Sequence, residues 1–188
     1  MEVVLKPYER DALCNFTRKD RTRYALNLIE VRVEKKRIIL ISTDGKRIIS
    51  IEKEAKPEKA DLGKYYISPV MLKAIYMSYR RDIPTKIIKA VSENANQTYP
   101  EYPDVDKVFP DEKKWKREVF SVGEKGQVGF YEIIGISIPL LSGLTTFIDC
   151  SPTYSVIFYQ EKKDEVIVGK FEGEGYKVRM AIMPVNIL

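Results

Sequence analysis

RIILISTDGKRIISIEKE, residues 37–54, contains two apolar stretches separated by an Asp-Gly pair. Isoleucine and leucine dominate the first stretch, and the second holds three isoleucines followed by charged residues. Gly45 can adopt the positive φ that a tight turn needs, and Asp44 tolerates such a conformation better than most residues. The pattern predicts a β-hairpin whose tip spans Thr43 to Arg47. A hairpin tip implies no function by itself, so its role depends on the rest of the chain.

The composition is that of an ordinary globular protein. The chain has 188 residues, of which 44% are hydrophobic and 31% are charged, and its formal net charge is +5. This length suits one medium domain or two small ones, and the modest positive charge is compatible with nucleic-acid binding without requiring it. No apolar run approaches the roughly 20 residues that cross a bilayer, and residues 1–10 lack the layout of a signal peptide. We therefore expect an intracellular, cytoplasmic protein that does not insert into a membrane.

Few kinds of catalytic site are compatible with this sequence. It contains no histidine, which removes the commonest general base and most zinc or iron sites. Cys14 and Cys150 both lie in apolar surroundings and are expected to be reduced core residues. No glycine-rich phosphate loop or nucleophile elbow is present. We expect neither enzymatic activity nor a metal or cofactor, and the remaining enzymatic alternative is Mg²⁺ bound by Asp104, Asp106 or Asp111.

Hydrophobic periodicity predicts mostly β-structure with short helices. A serine and a proline precede apolar helices in both halves of the chain, at 65–75 and 134–144. Serine and proline begin many helices, so this echo is either a coincidence or a sign of two related domains. The predicted helices cover 7–16, 69–81 and 137–148. The predicted strands lie within 2–5, 29–34, 37–43, 47–54, 85–93, 117–133, 154–171 and 176–185, and an extended linker is predicted over 96–116.

Basic residues cluster in two stretches that coincide with predicted helices or the segments that follow them. Lysine and arginine placed in this way contact phosphates without reading base sequence. Ordinary solvated helix faces are the alternative. The candidates for DNA contact are Arg18, Lys19, Arg21, Arg23, Lys73, Arg80 and Arg81.

Three short motifs occur in a recognisable order: TDGKRI at 43–48, YPDVDKVFP at 102–110 and Met-Pro-Val at 183–185. Together with their strand and helix context, they resemble the bacterial DNA polymerase III beta subunit, the sliding-clamp family. The resemblance covers roughly the last two of the family's three domains. It implies an α+β, DNA-clamp-like fold with mostly antiparallel sheets, divided into a clamp-like domain at 1–110 and a shortened second one at 111–188.

The resemblance also implies a function for the hairpin tip. In this family the tip and the C-terminal Met-Pro segment meet at a domain border and form an apolar pocket for short peptide motifs. Lys46 replaces the histidine of the family pattern. Carried over to this chain, the pocket residues are Thr43, Gly45, Lys46, Arg47, Ile48, Pro110, Met183, Pro184 and Val185, with Val166 and Val168 as further wall residues.

The implied protein is a processivity factor, or tether, that binds DNA polymerase and other proteins with clamp-binding motifs. It would form a homo-oligomer that encircles double-stranded DNA or lies along it without sequence preference. The second domain is short and its predicted helix carries no basic residue, which leaves an alternative. A clamp-fold adaptor or decoy would bind peptides without encircling DNA.

Overall fold

The fold is seen in a computed structural model. It describes residues 2–17, 24–79, 82–94, 102–115, 117–123, 127–131, 141, 144, 147–148, 155–162, 165–173 and 175–184.

The first half of the chain holds three α-helices and six strands within its described residues. Pro7 begins α1, as expected for a residue that lacks an amide hydrogen, and the carboxylate of Glu9 accepts a hydrogen bond from the Lys6 amide at 2.7 Å. Short 3₁₀ turns precede β2 and β5. The elements are β1 (Glu2–Val4), α1 (Pro7–Asn15), β2 (Ile29–Glu34), β3 (Arg37–Thr43), β4 (Arg47–Glu54), β5 (Gly63–Ile67), α2 (Pro69–Tyr79), β6 (Asp82–Pro84) and α3 (Thr85–Asn94).

In the second half, the described residues form strands and short helical pieces. Residues 141, 144 and 147–148 are helical, inside the stretch where the sequence predicts a helix. The strands are β7 (Arg117–Gly123), β8 (Val128–Phe130), β9 (Ser155–Gln160), β10 (Ile167–Gly173) and β11 (Tyr176–Ile182).

Nine of the described strands form one antiparallel sheet in the order β5-β2-β3-β4-β11-β10-β9-β7-β8, and β1 pairs separately with β6. The junction between the two halves is the pairing of β4 with β11, which sets Arg47 opposite Ile182 and Lys53 opposite Tyr176. This pairing is decisive for the site, because it places the hairpin tip beside the C-terminal end of β11. The division into domains at residue 110 remains a prediction.

Both faces of the central strands are buried. Along β3, Ile38 and Leu40 belong to the main core beneath the helices, whereas Ile39 and Ile41 belong to a second apolar cluster on the opposite face. This alternation follows from the two-residue period of a strand. The 102–115 segment, predicted as an extended linker, covers that second face and buries Tyr102 there.

One predicted element is wrong. The sequence predicts a strand over 85–93, and this stretch forms α3 instead. Its β-branched residues favour a strand locally, but Thr85 and Ile88 are buried while Ile87 and Val91 pack against the core. Spacings of three and four residues put these side chains on one helical face, so tertiary burial decides the conformation.

Helix α3 packs along the outer edge of β5 and satisfies part of its backbone. The Ser92 hydroxyl accepts a hydrogen bond from the Tyr66 amide at 3.0 Å and donates one to the Tyr66 carbonyl at 2.8 Å. Lys89 donates from its Nζ to the Ala60 carbonyl at 3.3 Å. The edge of the sheet is therefore covered at Tyr66.

None of the helices in the described part of the chain is long and apolar enough to cross a membrane.

Candidate binding pocket

The hairpin tip is held in one conformation by its own side chains. Gly45 has a φ of 87°, the left-handed value that the turn requires. Thr43 Oγ1 accepts from the Gly45 amide at 3.1 Å and donates to the Arg47 carbonyl at 2.9 Å. Asp44 Oδ1 accepts from the amides of Lys46 and Arg47, both at 2.9 Å. Thr43 is buried, so this network forms a fixed base for the tip.

Arg47 joins the tip to helix α1. Its Nε donates to Asp44 Oδ2 at 2.8 Å, and its terminal nitrogen donates to the Asn15 carbonyl at 2.8 Å. The guanidinium carbon lies 4.5 Å from the centroid of the Phe16 ring. The Arg47 side chain is only 12% exposed. It fixes the tip against α1 and also lines the cavity beside the tip.

The C-terminal strand reaches the tip, as the resemblance implies. The Met183 amide donates to the Lys46 carbonyl at 2.7 Å, which continues the β4–β11 pairing by one residue. Met183 is 46% exposed, whereas Ala181 is buried in the apolar cluster beneath it. The two separate motifs thus form one surface.

The 102–115 segment forms the facing wall. Buried Tyr102 donates its hydroxyl to the Ile41 carbonyl at 3.3 Å, and burial raises its pKa. Asp106 pairs with Arg32 and, at 3.5 Å, with Arg179. Burial lowers the pKa of Arg32, but hydrogen bonds to Glu30 and Asp106 outweigh this effect and raise it. The wall is therefore fastened to the sheet by an aromatic anchor and by ion pairs.

These elements enclose an apolar cavity of about 500 Å³, which includes its open mouth. A volume of this size suits a few side chains of a bound ligand. Seven predicted pocket residues line it: Thr43, Gly45, Lys46, Arg47, Ile48, Val166 and Met183.

Sequence reasoning missed five lining residues. Two of them, Val105 and Val108, follow Tyr102 at intervals of three residues, and this repeat could have indicated an inward face. Leu26 lies in a 3₁₀ turn and carries no such signal. The complete set of missed residues is Leu26, Pro103, Val105, Val108 and Ala181.

Three predicted residues lie outside the lining, and Val185 lies outside the described residues. Val168 is buried and pairs across strands with the lining residue Ala181, so it packs beneath the cavity without lining it. Pro184 directly follows Met183 and is half-buried. The Pro110 carbonyl accepts a hydrogen bond from the Trp115 indole at 3.1 Å, and Pro110 belongs to a part of the 102–115 wall that does not line the cavity.

Of the seven predicted DNA-contact residues, only Lys73 falls within the part of the chain that the structure describes. Its side chain is exposed on α2. Neighbouring exposed positions on this helix are apolar, since Val70 is 75% and Met77 is 80% exposed. The other six, Arg18, Lys19, Arg21, Arg23, Arg80 and Arg81, lie outside the described residues.

The three carboxylates considered for Mg²⁺ binding have local partners. Asp104 pairs with Lys107 at 3.1 Å, and this contact lowers its pKa. Asp106 holds the pocket wall, and Asp111 accepts from the Lys113 amide at 3.0 Å to cap a 3₁₀ turn. No cluster of three potential metal ligands occurs among the residues described. The observed geometry gives each carboxylate a structural role.

Comparison with solved structures identifies the fold. The chain is similar to the DnaN sliding clamp (DNA polymerase III subunit beta) from Bartonella birtlesii, solved with bound griselimycin, with a TM-score of 0.64 and 13% identity over 99% of this chain. It is also similar to the beta subunit from Thermotoga maritima, with a TM-score of 0.61 and 15% identity. A putative beta subunit from Eubacterium rectale gives 0.60 and 14%. The last two matches extend over the whole of this chain. The expected DNA-clamp-like α+β fold is confirmed.

These matches cover 66%, 65% and 66% of the respective clamps, so the chain spans about two thirds of their length. No protein-family model matches the sequence, and no curated protein does. At such low identity, the likeness establishes the fold alone.

Proposed function

We propose that this chain, which has the fold of a sliding clamp, is a tether for DNA replication or repair proteins and binds them through the hairpin pocket. The observation that carries the proposal is the meeting of three separate segments around one apolar cavity. The hairpin tip, the 102–115 wall and the end of β11 are each fixed by hydrogen bonds, so the cavity is formed before a ligand arrives. In this reading the protein is a binding scaffold without catalytic activity.

The expected ligand is a short segment of a partner protein, such as a DNA polymerase, that carries leucine and phenylalanine side chains. The lining is mostly aliphatic, with Ile48, Val105, Val108 and Val166 facing the same space. Apolar anchors that fill such a cavity supply most of the affinity in peptide recognition. Exposed Met183 at the mouth offers a flexible surface that adjusts to the anchor.

Binding can be tested with a fluorescently labelled peptide of leucines and phenylalanine, followed by anisotropy. Met183→Asp places a charge at the mouth of the cavity, and Met77→Asp on α2 is the matched control, since both methionines are exposed. The parent chain and Met77→Asp should bind saturably, and Met183→Asp should bind at least about tenfold more weakly, because a carboxylate replaces an apolar contact. Failure of the parent to bind at high protein concentration, or equal affinity of all three proteins, would refute the proposal.

We also propose that the protein contacts double-stranded DNA through the basic residues predicted from the sequence, as a homo-oligomer that encircles the DNA or lies along it. Replacing these residues with alanine should weaken DNA association and flatten its dependence on salt concentration, because fewer counterions are released. Unchanged salt dependence would remove them from the DNA-facing surface. The residues are Arg18, Lys19, Arg21, Arg23, Lys73, Arg80 and Arg81.

A second candidate is a clamp-fold adaptor or decoy that binds peptides without encircling DNA. It is favoured by α3, which occupies the β5 edge at Tyr66 through Ser92, so the backbone of Tyr66 is not free to pair with a strand of a second copy. The apolar exposed face of α2 around Lys73 also differs from a surface built for phosphates. The mass in solution distinguishes the two, because a monomer cannot encircle DNA.

A further inference from the structure

Lys46 carries the unpaired charge at the mouth of the hairpin pocket. It lines the cavity and is exposed, and its ammonium group has no acidic partner among the described residues. The other charged groups nearby are neutralised: Asp44 pairs with Arg47 at 2.8 Å, and Lys107 pairs with Asp104 at 3.1 Å. An otherwise apolar site therefore presents one uncompensated positive charge.

The backbone of Lys46 is fixed on both sides. Its amide donates to Asp44 Oδ1 at 2.9 Å, and its carbonyl accepts from the Met183 amide at 2.7 Å. The side chain therefore extends from a rigid base, and its stem has enough freedom to reach a carboxylate on a ligand seated beside it.

We propose that Lys46 selects partner segments in which an aspartate or glutamate side chain lies next to the apolar anchors. This inference rests on the proposed function of the pocket and specifies the chemistry of its ligand. A cation at the rim of an apolar cavity favours ligands of complementary charge and disfavours basic ones. An acidic side chain satisfies Lys46 while the leucine and phenylalanine side chains fill the cavity.

The test compares two labelled peptides, Gly-Leu-Asp-Leu-Phe-Gly and the same peptide with asparagine in place of aspartate. Each carries an uncharged label on its N-terminal nitrogen through an amide bond and is amidated at the C-terminus, so that the aspartate side chain supplies the only carboxylate. They are titrated against the full chain and against Lys46→Gln. The control, Lys56→Gln, changes another exposed lysine beyond the far end of β4, a strand that spans about 23 Å at the usual rise per residue.

The parent chain and Lys56→Gln should bind the aspartate peptide about two- to fivefold more tightly than the asparagine peptide, as expected for an exposed ion pair. Lys46→Gln should bind both peptides equally, and the preference of the parent should shrink at high salt. Binding of both peptides with no preference, or a preference that survives in Lys46→Gln, would overturn this inference alone. Failure of the parent to bind either peptide would overturn both the inference and the proposed function.

Discussion

Replacing Arg47 with lysine should destabilise the protein, although the charge is conserved and the residue borders a binding pocket. The guanidinium makes two directed hydrogen bonds, to Asp44 Oδ2 and to the Asn15 carbonyl, both at 2.8 Å. It also stacks on Phe16 at 4.5 Å. A lysine ammonium has no planar fork and cannot maintain all three contacts.

The size of the effect follows from the contacts that are lost. A hydrogen bond to a charged group contributes about 1.5–3 kcal/mol, and a cation–π contact contributes about 0.5–1 kcal/mol. Lysine keeps at most one of the hydrogen bonds, so the loss is one hydrogen bond and the stacking. The side chain is only 12% exposed, which limits screening by solvent. We expect the free energy of unfolding to fall by about 2–4 kcal/mol.

The adjacent Lys46 provides the matched control, because its exposed side chain makes no hydrogen bond or ion pair with the described residues. Urea denaturation of Arg47→Lys and Lys46→Gln should show a clear drop in midpoint for the first and a change within about 0.5 kcal/mol for the second. An Arg47→Lys protein as stable as the parent would show that Arg47 does not position the hairpin tip.

Three further substitutions or modifications test other parts of the structure. Gly169→Ala should lower the free energy of unfolding by about 1–3 kcal/mol in urea, because a Cβ there would lie 2.7 Å from the buried Phe158 ring; an unchanged midpoint would contradict this packing. Asp106→Asn should change stability by less than about 1 kcal/mol but weaken peptide binding about two- to threefold, since a half-exposed ion pair holds the pocket wall; equal anisotropy titrations would contradict that role. Burial raises the pKa of the Cys14 thiol from 9.0 to about 11, so in a Cys150→Ser background this thiol should react with a disulfide reagent at pH 8 only as urea unfolds the chain. The free energy of unfolding should fall as the pH rises from 9 to 11, because the unfolded chain loses the thiol proton first. Fast labelling of the folded chain would argue against burial of Cys14.

Local signals in the sequence were sufficient to predict the hairpin, the helices that begin at Pro7 and Pro69, and the turn between β9 and β10. Each of these depends on residues close together in the chain, such as Asp44 and Gly45 at the hairpin tip. Helix α3 was missed because its β-branched residues favour a strand locally, whereas its burial against β5 favours a helix. In that stretch only the tertiary structure shows which preference prevails.

The pocket was harder to predict than the hairpin, because it depends on contacts between distant segments. Pairing of β4 with β11 joins residues more than 120 positions apart, as in the contact of Lys46 with Met183. The resemblance to sliding clamps suggested that these segments meet, but periodicity alone could not. The wall residues Val105 and Val108 escaped notice for a related reason: the prolines around them indicate an extended linker and say nothing about what it covers.

The hydroxyl of Ser92 covers part of one edge of the nine-stranded sheet, because it hydrogen-bonds both the amide and the carbonyl of Tyr66 in the edge strand β5. A sheet that is open at both ends allows copies to add edge to edge, either until a ring closes or as a growing filament. The other outermost strand among those described is β8. Because β5 is covered at Tyr66, β8 would be the edge through which the sheets of two copies could pair. A single serine side chain thus removes Tyr66 from the backbone with which a strand of a second copy could pair.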